Sequence, residues 1–526
     1  MIACSFFFFS GLAFLPHLGV QNDEAIFGMA FLKPLAGACT IRIGHSRFPL
    51  MLMSYLGTLK AWLYRPVFRA FGTGVWTLRL PVLFAGVASV WLFYLLLRRI
   101  AGERAALIGC SLLAVDATYL LTVCFDWGPV ALQHLLLVAG LLALVKFYQE
   151  RREVALAGGF FLLGLAMWDK ALAVWMLSGI ALAALALFPR RVLAVVTGRR
   201  VAIAVLAFAL GALPLLVYNA QNDWPTLRGT FTREPRPISG KAMMLVATAR
   251  GEGLFGWMFF ENWQTPAPHE PYGGFEKASA WVGELAGHPR RHLLFYAFLL
   301  ALLLAPLARG DALRAILFAV AAMAVAWYQM AITANAGGTV HHTILLWPFP
   351  QLAIAVSFAA ASRQLGRFGI PVVAVVTAVM AVSGALVVNE HHLVMLRYGG
   401  SQNWTDAIFK LDRYVEGIPA QNLYCLDWGI ADGLRVLGHG TLPVQVDTDP
   451  ISKPELSEDD RAVVRRMIAD PDGLFLAHTK DYEFFPGVNQ KLVKFAAEAG
   501  YERRMLATIS DSYGRPAYEV YRFAGR

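Results

Sequence analysis

Charge is scarce in this chain of 526 residues: Asp, Glu, Lys and Arg together make up only 16%, against roughly 25% in an average soluble domain. So few charged groups cannot cover the surface of a soluble protein of this length, and the 57% hydrophobic content and mean hydropathy of +0.52 exclude a single soluble globule. Cysteine is sparse too. Cys4, Cys39, Cys110, Cys124 and Cys425 are scattered, odd in number and without metal-ligand spacing, which argues against a disulfide framework. Acids are fewer than bases, 36 against 46, leaving a net charge of +10. Nucleic acid is not the expected partner, because the basic residues sit in short clusters between apolar stretches, the distribution that membrane topology produces. Ionisable residues are also scarce near the middle of the apolar stretches, where a transporter would favour them.

What the chain does have is long apolar runs. With a spanning helix taken as about 20 apolar residues, shorter within a bundle, segments fall near 2–19, 80–98, 105–122, 128–147, 154–168, 171–188, 201–219, 293–308, 313–333, 343–361 and 369–388. The fold class is therefore a polytopic α-helical membrane protein with about eleven transmembrane helices. Segments 154–168 and 171–188 are short enough to be one broken segment. The first segment has the apolar core of a signal peptide without the basic residues that should precede one, so it reads as a first helix with a shortened start or as a cleaved signal. Arg98, Arg99 and Arg104, then Lys146, Arg151 and Arg152, then Arg190, Arg191, Arg199 and Arg200, then Arg309 and Arg314, then Arg363 and Arg367 mark one side as cytoplasmic. The other connections are external and carry almost no basic residues, Lys170 excepted.

Two external stretches are long. In 20–79, the run 48–71 interleaves aromatics and leucines with Lys60, Arg65 and Arg69, the composition of an amphipathic helix on a membrane surface. The second, 220–292, is rich in Pro, Gly and Trp, and contains Asn219-Ala220-Gln221-Asn222-Asp223-Trp224-Pro225 and Pro266-Ala267-Pro268-His269-Glu270-Pro271-Tyr272. It reads as a partly ordered loop along the membrane. The membrane portion is expected over 1–388. From 389 to 526 the composition becomes that of an external α/β domain, with helical patterns at 404–415, 459–468 and 490–499, strand-like runs at 423–426, 443–446 and 473–477, and a possible hairpin of 504–509 with 518–523. No Gly-rich phosphate loop and no HExxH occurs there.

The ionisable residues at the external face are the candidates for chemistry. Asp23 and Glu24, in Gln21-Asn22-Asp23-Glu24, follow the first apolar run, and adjacent helical residues point about 100° apart. One is expected to act and the other to support. The plain alternative is two acids in the first turn of a helix. Lys170 stands at the junction of two apolar segments, with an anion or Asp169 as partner, or as a lysine snorkelling beside Asp169. Asp126, in Phe125-Asp126-Trp127-Gly128-Pro129, opens a spanning helix, where an acid is also an ordinary helix start. Arg79 either holds a phosphate or pairs with Asp23 or Glu24. His341 and His342 are neighbours that would rarely share one metal ion, and one of them is expected to contact phosphate. Carboxylates and cations in one layer suit a reaction that takes a proton from one substrate and expels phosphate from another.

This pattern resembles the C-type glycosyltransferase superfamily, in the branch around protein O-mannosyltransferases and lipid A aminoarabinose transferases. The resemblance covers residues 20 to 361: the acidic pair Asp23-Glu24, Arg79-Leu80-Pro81, Asp126, the Gly164-Leu165-Ala166 run leading to Lys170, and His341 or His342 ahead of Pro348. The proline-rich stretch after the first loop is reduced here to Phe48-Pro49-Leu50, and Asp169 replaces the usual small hydroxyl residue before the lysine. The resemblance implies an enzyme that moves a sugar from a polyprenyl-phosphate donor to a hydroxyl of a lipid, glycan or protein acceptor, at the external face of a bacterial inner membrane. Asp23 would be the general base, Glu24 its support, and Lys170 with Arg79 and a histidine would meet the leaving phosphate. Some relatives use a divalent cation, for which the sequence offers no ligand set. The competing readings are a flippase or transporter for a lipid-linked saccharide, and a non-catalytic membrane scaffold presenting the C-terminal domain.

Overall fold

In the structure, a computed structural model that describes residues 1–32, 39–43, 45–230, 232–233, 237–261, 269, 273–445 and 449–525, each of the eleven apolar segments is helical. Five helices are long and apolar enough to cross a membrane: Val75–Ala101, Ala131–Glu150, Asp311–Ile332, Val340–Gln364 and Gly366–Tyr398. Two further segments are bent pairs, 62° between Glu103–Ala114 and Ala117–Cys124 and 72° between Gly198–Gly211 and Leu213–Gln221, which raises the number to seven if each pair is one span. Ile2–Phe14, Ala173–Leu187 and Leu294–Leu307 are apolar but shorter. The expected eleven includes these shorter helices, which length and composition do not by themselves qualify. Glu153–Asp169 and Ala173–Leu187 are two separate helices, joined by a corner that holds Lys170.

The helices are arranged around Val340–Gln364, whose most apolar window is 94% buried, while that of Gly366–Tyr398 is only 17% buried. Leucines and valines such as Leu182, Leu206, Val375, Val379 and Val382 face outward from the bundle. An outer surface this apolar is stable only against lipid. The chain is an integral membrane protein.

The first long connection departs from expectation. Its 48–71 run is not one helix: strand β1 (Cys39–Ile43) pairs antiparallel with β2 (Ser46–Met51), and a helix begins only at Leu59. The segment between is tied to the Lys170 corner by Gly57 N–H on Asp169 O (3.1 Å) and Trp168 Nε1 on Leu50 O (2.9 Å). A side chain at Gly57 would lie 1.8 Å from Trp168 O, so only glycine permits this approach. Helix Leu59–Phe71 keeps the amphipathic pattern, with Leu59, Ala61 and Tyr64 inward, but it also buries Lys60.

Among the described residues, the connection at 220–292 contains two α-helices, Ile238–Arg250 and Gly274–Ala286, after a π-helical turn at Thr226–Thr230. Its Asn219 motif closes a turn, accepting Trp224 N–H on the backbone (2.9 Å) and Thr226 N–H on the side chain (3.2 Å). The Pro266 to Tyr272 motif, His269 excepted, lies outside the described residues.

Helix Gly369–Tyr398 continues through the position where the composition changes. Glu390, His391 and His392 look like the start of a soluble region, yet they are buried helical residues: Glu390 bonds His288 Nδ1 (2.9 Å), and the His391 ring stacks on Phe255 (3.7 Å). Beyond it lies a five-stranded sheet built from β3 (Asn422–Cys425), β4 (Val444–Gln445), β5 (Gly473–His478), β6 (Tyr501–Ser510) and β7 (Pro516–Gly525). The order is β4-β3-β5-β7-β6; β3 is parallel to β4 and β5, and β6–β7 form the expected antiparallel hairpin. Helices Ala407–Glu416, Ile430–Leu437, Glu458–Ile468 and Val488–Glu498 accompany it, three of them close to where periodicity puts them. Helix Ile430–Leu437 packs on Asn22–Met29, with Arg435 Nη1 2.9 Å from Met29 Sδ, so the sheet region backs directly onto the acidic pair.

Candidate active site

Asp23 and Glu24 begin in an ordinary capping arrangement. Gln21 caps helix Asn22–Met29: its side-chain oxygen accepts Asp23 N–H (2.6 Å), and Glu24 Oε1 accepts Gln21 N–H (3.0 Å). Beyond that the two acids part. Glu24 is buried in a bidentate pair with Arg79, Nη2 to Oε1 at 2.6 Å and Nε to Oε2 at 2.9 Å. The remaining guanidinium N–H groups bond the carbonyls of Leu15 (2.6 Å), Leu18 (2.9 Å) and Gly19 (2.7 Å). A guanidinium has five N–H donors, and here all are engaged. Arg79 therefore staples the first helix to Glu24; of its two expected readings, phosphate contact or pairing with Asp23 or Glu24, the pair with Glu24 is the one seen among the described residues.

Asp23 takes a different partner. It is partly exposed, one oxygen accepts Gly128 N–H at 3.0 Å, and the other has no hydrogen bond among the described residues. The carbonyl of the same Gly128 accepts Lys170 Nζ. One residue thus holds a carboxylate at its N–H and an ammonium at its C=O. Gly128 has φ +72°, and a Cβ there would sit 2.5 Å from His341, so both its conformation and its surroundings require glycine.

Asp126, two residues earlier, is engaged on both oxygens. One oxygen accepts Val130 and Ala131 N–H (3.0 and 2.9 Å) at the start of helix Ala131–Glu150, and the other takes Lys60 Nζ. Its left-handed backbone (φ +45°) is one that Asp tolerates. Lys60 also lies over the Phe27 ring at 3.5 Å, which fixes helix Leu59–Phe71 to the helix of the acidic pair. Asp169 is buried; one oxygen meets Gln133 Nε2 at 3.4 Å and the other is unpartnered.

The two histidines separate in the same way. The His342 Nδ1 pairs with Thr339 Oγ1 (2.9 Å), whereas His341 lies against Gly128 and Trp127 (ring centroids 4.7 Å) with its Nδ1 unpartnered. His341 is the one placed beside the Asp23–Lys170 pair.

Electrostatics follow from burial. Enclosure pushes the Asp23 carboxyl above its ordinary range, against the opposing pull of Lys170 and the Gly128 N–H. Burial lowers Lys170 to about 8, resisted by Asp23 and Asp169. The Tyr55 phenol, partly exposed, is raised by burial and by the charge of Asp23. A carboxylate made more basic and an ammonium made more acidic, held by the backbone of one residue, are the ingredients of proton abstraction next to anion binding. Among the described residues no three of His, Cys, Asp and Glu gather as a metal-ligand set; Asp126 is paired with Lys60 and Glu24 with Arg79.

Sequence reasoning missed Gly128 and Tyr55, and placed Lys60 on the membrane surface. The adjacent Asp-Trp-Gly-Pro run was the signal for Gly128; nothing local marks Lys60, whose partner is 66 residues away.

Residues 57–218, under a third of the chain, match the family described as dolichyl-phosphate-mannose-protein mannosyltransferase. The matched stretch includes Lys60, Arg79, Asp126, Gly128 and Lys170, with Asp23 and Glu24 upstream of it. No curated protein matches the chain by sequence. Among solved structures it is similar to ArnT from Cupriavidus metallidurans bound to undecaprenyl phosphate, with TM-score 0.59 and 14% identity over 99% of this chain and 96% of that one. The apo state of the same ArnT gives 0.57 at 14% identity, with the same coverage. The Archaeoglobus fulgidus oligosaccharyltransferase in apo form gives 0.51 at 13% identity, covering 100% of this chain and 74% of that one. The chain shares the fold of the C-type glycosyltransferases, and its resemblance to that superfamily holds at the level of both sequence stretch and architecture.

Proposed function

We propose that this protein is a membrane glycosyltransferase that moves a sugar from a polyprenyl-phosphate donor to an acceptor hydroxyl. The observation that carries the reading is Gly128, with the partly exposed carboxylate of Asp23 on its N–H and Lys170 on its carbonyl. The undecaprenyl phosphate bound to ArnT supports a lipid phosphate as the donor's carrier.

In this mechanism Asp23 accepts the acceptor's hydroxyl proton as the acceptor oxygen bonds to the anomeric carbon. The bond from that carbon to the phosphate oxygen breaks, and the lipid phosphate leaves with the electron pair. Lys170 meets the charge developing on the phosphate, and the unpartnered His341 Nδ1 edge is the second group within reach of it. Glu24 and Arg79 touch no substrate; they hold helix Asn22–Met29 against the first helix so that Asp23 stays aligned. Asp126 and Lys60 do the same for the Gly128 loop.

Arg79 lies near one end of Val75–Ala101 and Arg98 and Arg99 near the other, about 30 Å away at 1.5 Å rise per residue. The site is thus at the end away from the arginine-rich connections, which by the positive-inside rule is the external, periplasmic face of a bacterial inner membrane. The test is sugar release from a panel of polyprenyl-phosphate sugars by purified wild type, Asp23→Asn and Lys170→Ala, with folding checked by thermal unfolding in detergent. Transfer or slow donor hydrolysis by wild type, lost in both variants at unchanged stability, supports the reading; equal activity in all three would sink the assigned site.

A further inference from the structure

The opposite end of the bundle holds a second built feature, independent of the site just described. A cavity of about 290 Å³ lies where Val75–Ala101 ends, Asp311–Ile332 begins and Phe349–Gln364 ends. Its floor is apolar, with Ile100, Val356 and Ala359, and its polar lining is Arg309, Arg363 and Asp311. The volume is at the lower end of small-molecule sites, which run from roughly 300 Å³, so it suits a headgroup rather than a whole saccharide.

The charges are unbalanced in one direction. Asp311 is already engaged outside the pair, by Arg191 Nη2 at 2.5 Å and Arg314 Nη1 at 3.6 Å. Arg363 gives one N–H to the Ala101 carbonyl (3.2 Å), and among the described residues it has no carboxylate partner. Arg309 has no hydrogen bond or ion pair among the described residues. Two guanidinium groups without a counter-ion, over an apolar floor, favour an anion that offers several oxygens, and phosphate geometry matches the guanidinium fork. Leu303 and Leu307, on the stretch leading to Arg309, are exposed and give hydrocarbon chains a surface beside the cavity.

We propose that Arg309 and Arg363 form a binding site for the phosphodiester headgroup of an anionic phospholipid, whose acyl chains lie along Leu303 and Leu307. The site ties together three helix ends, so occupancy stabilises the bundle by mass action.

The test uses the full-length chain in neutral detergent, with native mass spectrometry and thermal unfolding across a titration of phosphatidylglycerol, phosphatidylcholine or inorganic phosphate. Phosphatidylglycerol is expected to bind about tenfold more tightly than phosphatidylcholine, and Arg309→Gln with Arg363→Gln to weaken it about tenfold, the effect of losing charge-assisted hydrogen bonds. Arg367→Gln, outside the cavity, is expected to leave binding unchanged. If the double variant is too unstable to purify, the exposed and unpartnered Arg309→Gln alone is expected to give a partial loss of at least about threefold. Undiminished binding by the arginine variants, an equal loss in Arg367→Gln, or equal stabilisation by inorganic phosphate at the same concentration would each overturn the assignment.

Discussion

Two carboxylates, Asp23 in the membrane part and Asp427 beside the C-terminal sheet, stand in contrasting states. Asp427 follows β3, and its oxygens accept His478 Nδ1 (2.8 Å) and the backbone N–H groups of Phe484 (2.7 Å), Phe485 (3.1 Å) and Trp428 (2.8 Å). It is buried and saturated. Among the described residues the Asp23 carboxylate accepts one hydrogen bond, which leaves an oxygen free, and the residue is partly exposed. An Asp–His pair looks more like an active site than a lone Asp does, yet saturation is the better guide. A carboxylate with four donors pins two loops together, and a carboxylate with one can still receive a proton. The same rule separates Glu24 from Asp23 and Asp126 from Lys170.

The contrast is sharpest in activity. Asp23→Asn keeps the shape and the Gly128 hydrogen bond but removes the base, so sugar transfer is expected to fall about 10²- to 10⁴-fold, with stability within about 1 kcal/mol of wild type; initial rates and detergent unfolding curves report both. Lys170→Ala is expected to cost about 10²- to 10³-fold in turnover, the size of losing one preorganised stabiliser of a leaving anion, measured with saturating donor.

Stability should sort the other way. Arg79→Ala leaves Glu24 buried without its partner and removes the clamp on three carbonyls, a loss of about 3–5 kcal/mol, read as a lowered unfolding midpoint. Asp427→Asn points an amide donor at backbone N–H donors and is expected to cost about 1–3 kcal/mol, with turnover per folded molecule unchanged.

A subtler expectation concerns pH. Asp23 works only when ionised, so activity falls as pH drops through its raised value, placing the acid limb above the ordinary carboxylate range near 3.9. Lys170 works only when protonated, so activity falls again as pH rises through about 8. The pH–rate profile should be bell-shaped, and Lys170→Arg, which stays charged at higher pH, should push the alkaline limb upward.

The helical segments and the α/β character of the C-terminal part were legible because both rest on periodicity and composition, which local sequence carries. The roles of the candidate residues were legible only in part. Asp23 and Glu24 could be found from their place at a membrane exit, but which one works depends on Arg79, 55 residues away from Glu24. Lys60 reads as a surface lysine because nothing near it in sequence is acidic. Its carboxylate partner, Asp126, arrives only through folding. Glu390, His391 and His392 misled in the opposite sense, since polar letters near a helix end suggest solvent until the partners Phe255 and His288 are seen.

The most direct test of the account is to measure transfer rate and unfolding midpoint together for Asp23→Asn and Asp427→Asn in the same detergent and with the same polyprenyl-phosphate sugar. The account predicts a crossing: Asp23→Asn folded and nearly inactive, Asp427→Asn destabilised and active. An active Asp23→Asn, or a folded Asp427→Asn that has lost turnover, would contradict it.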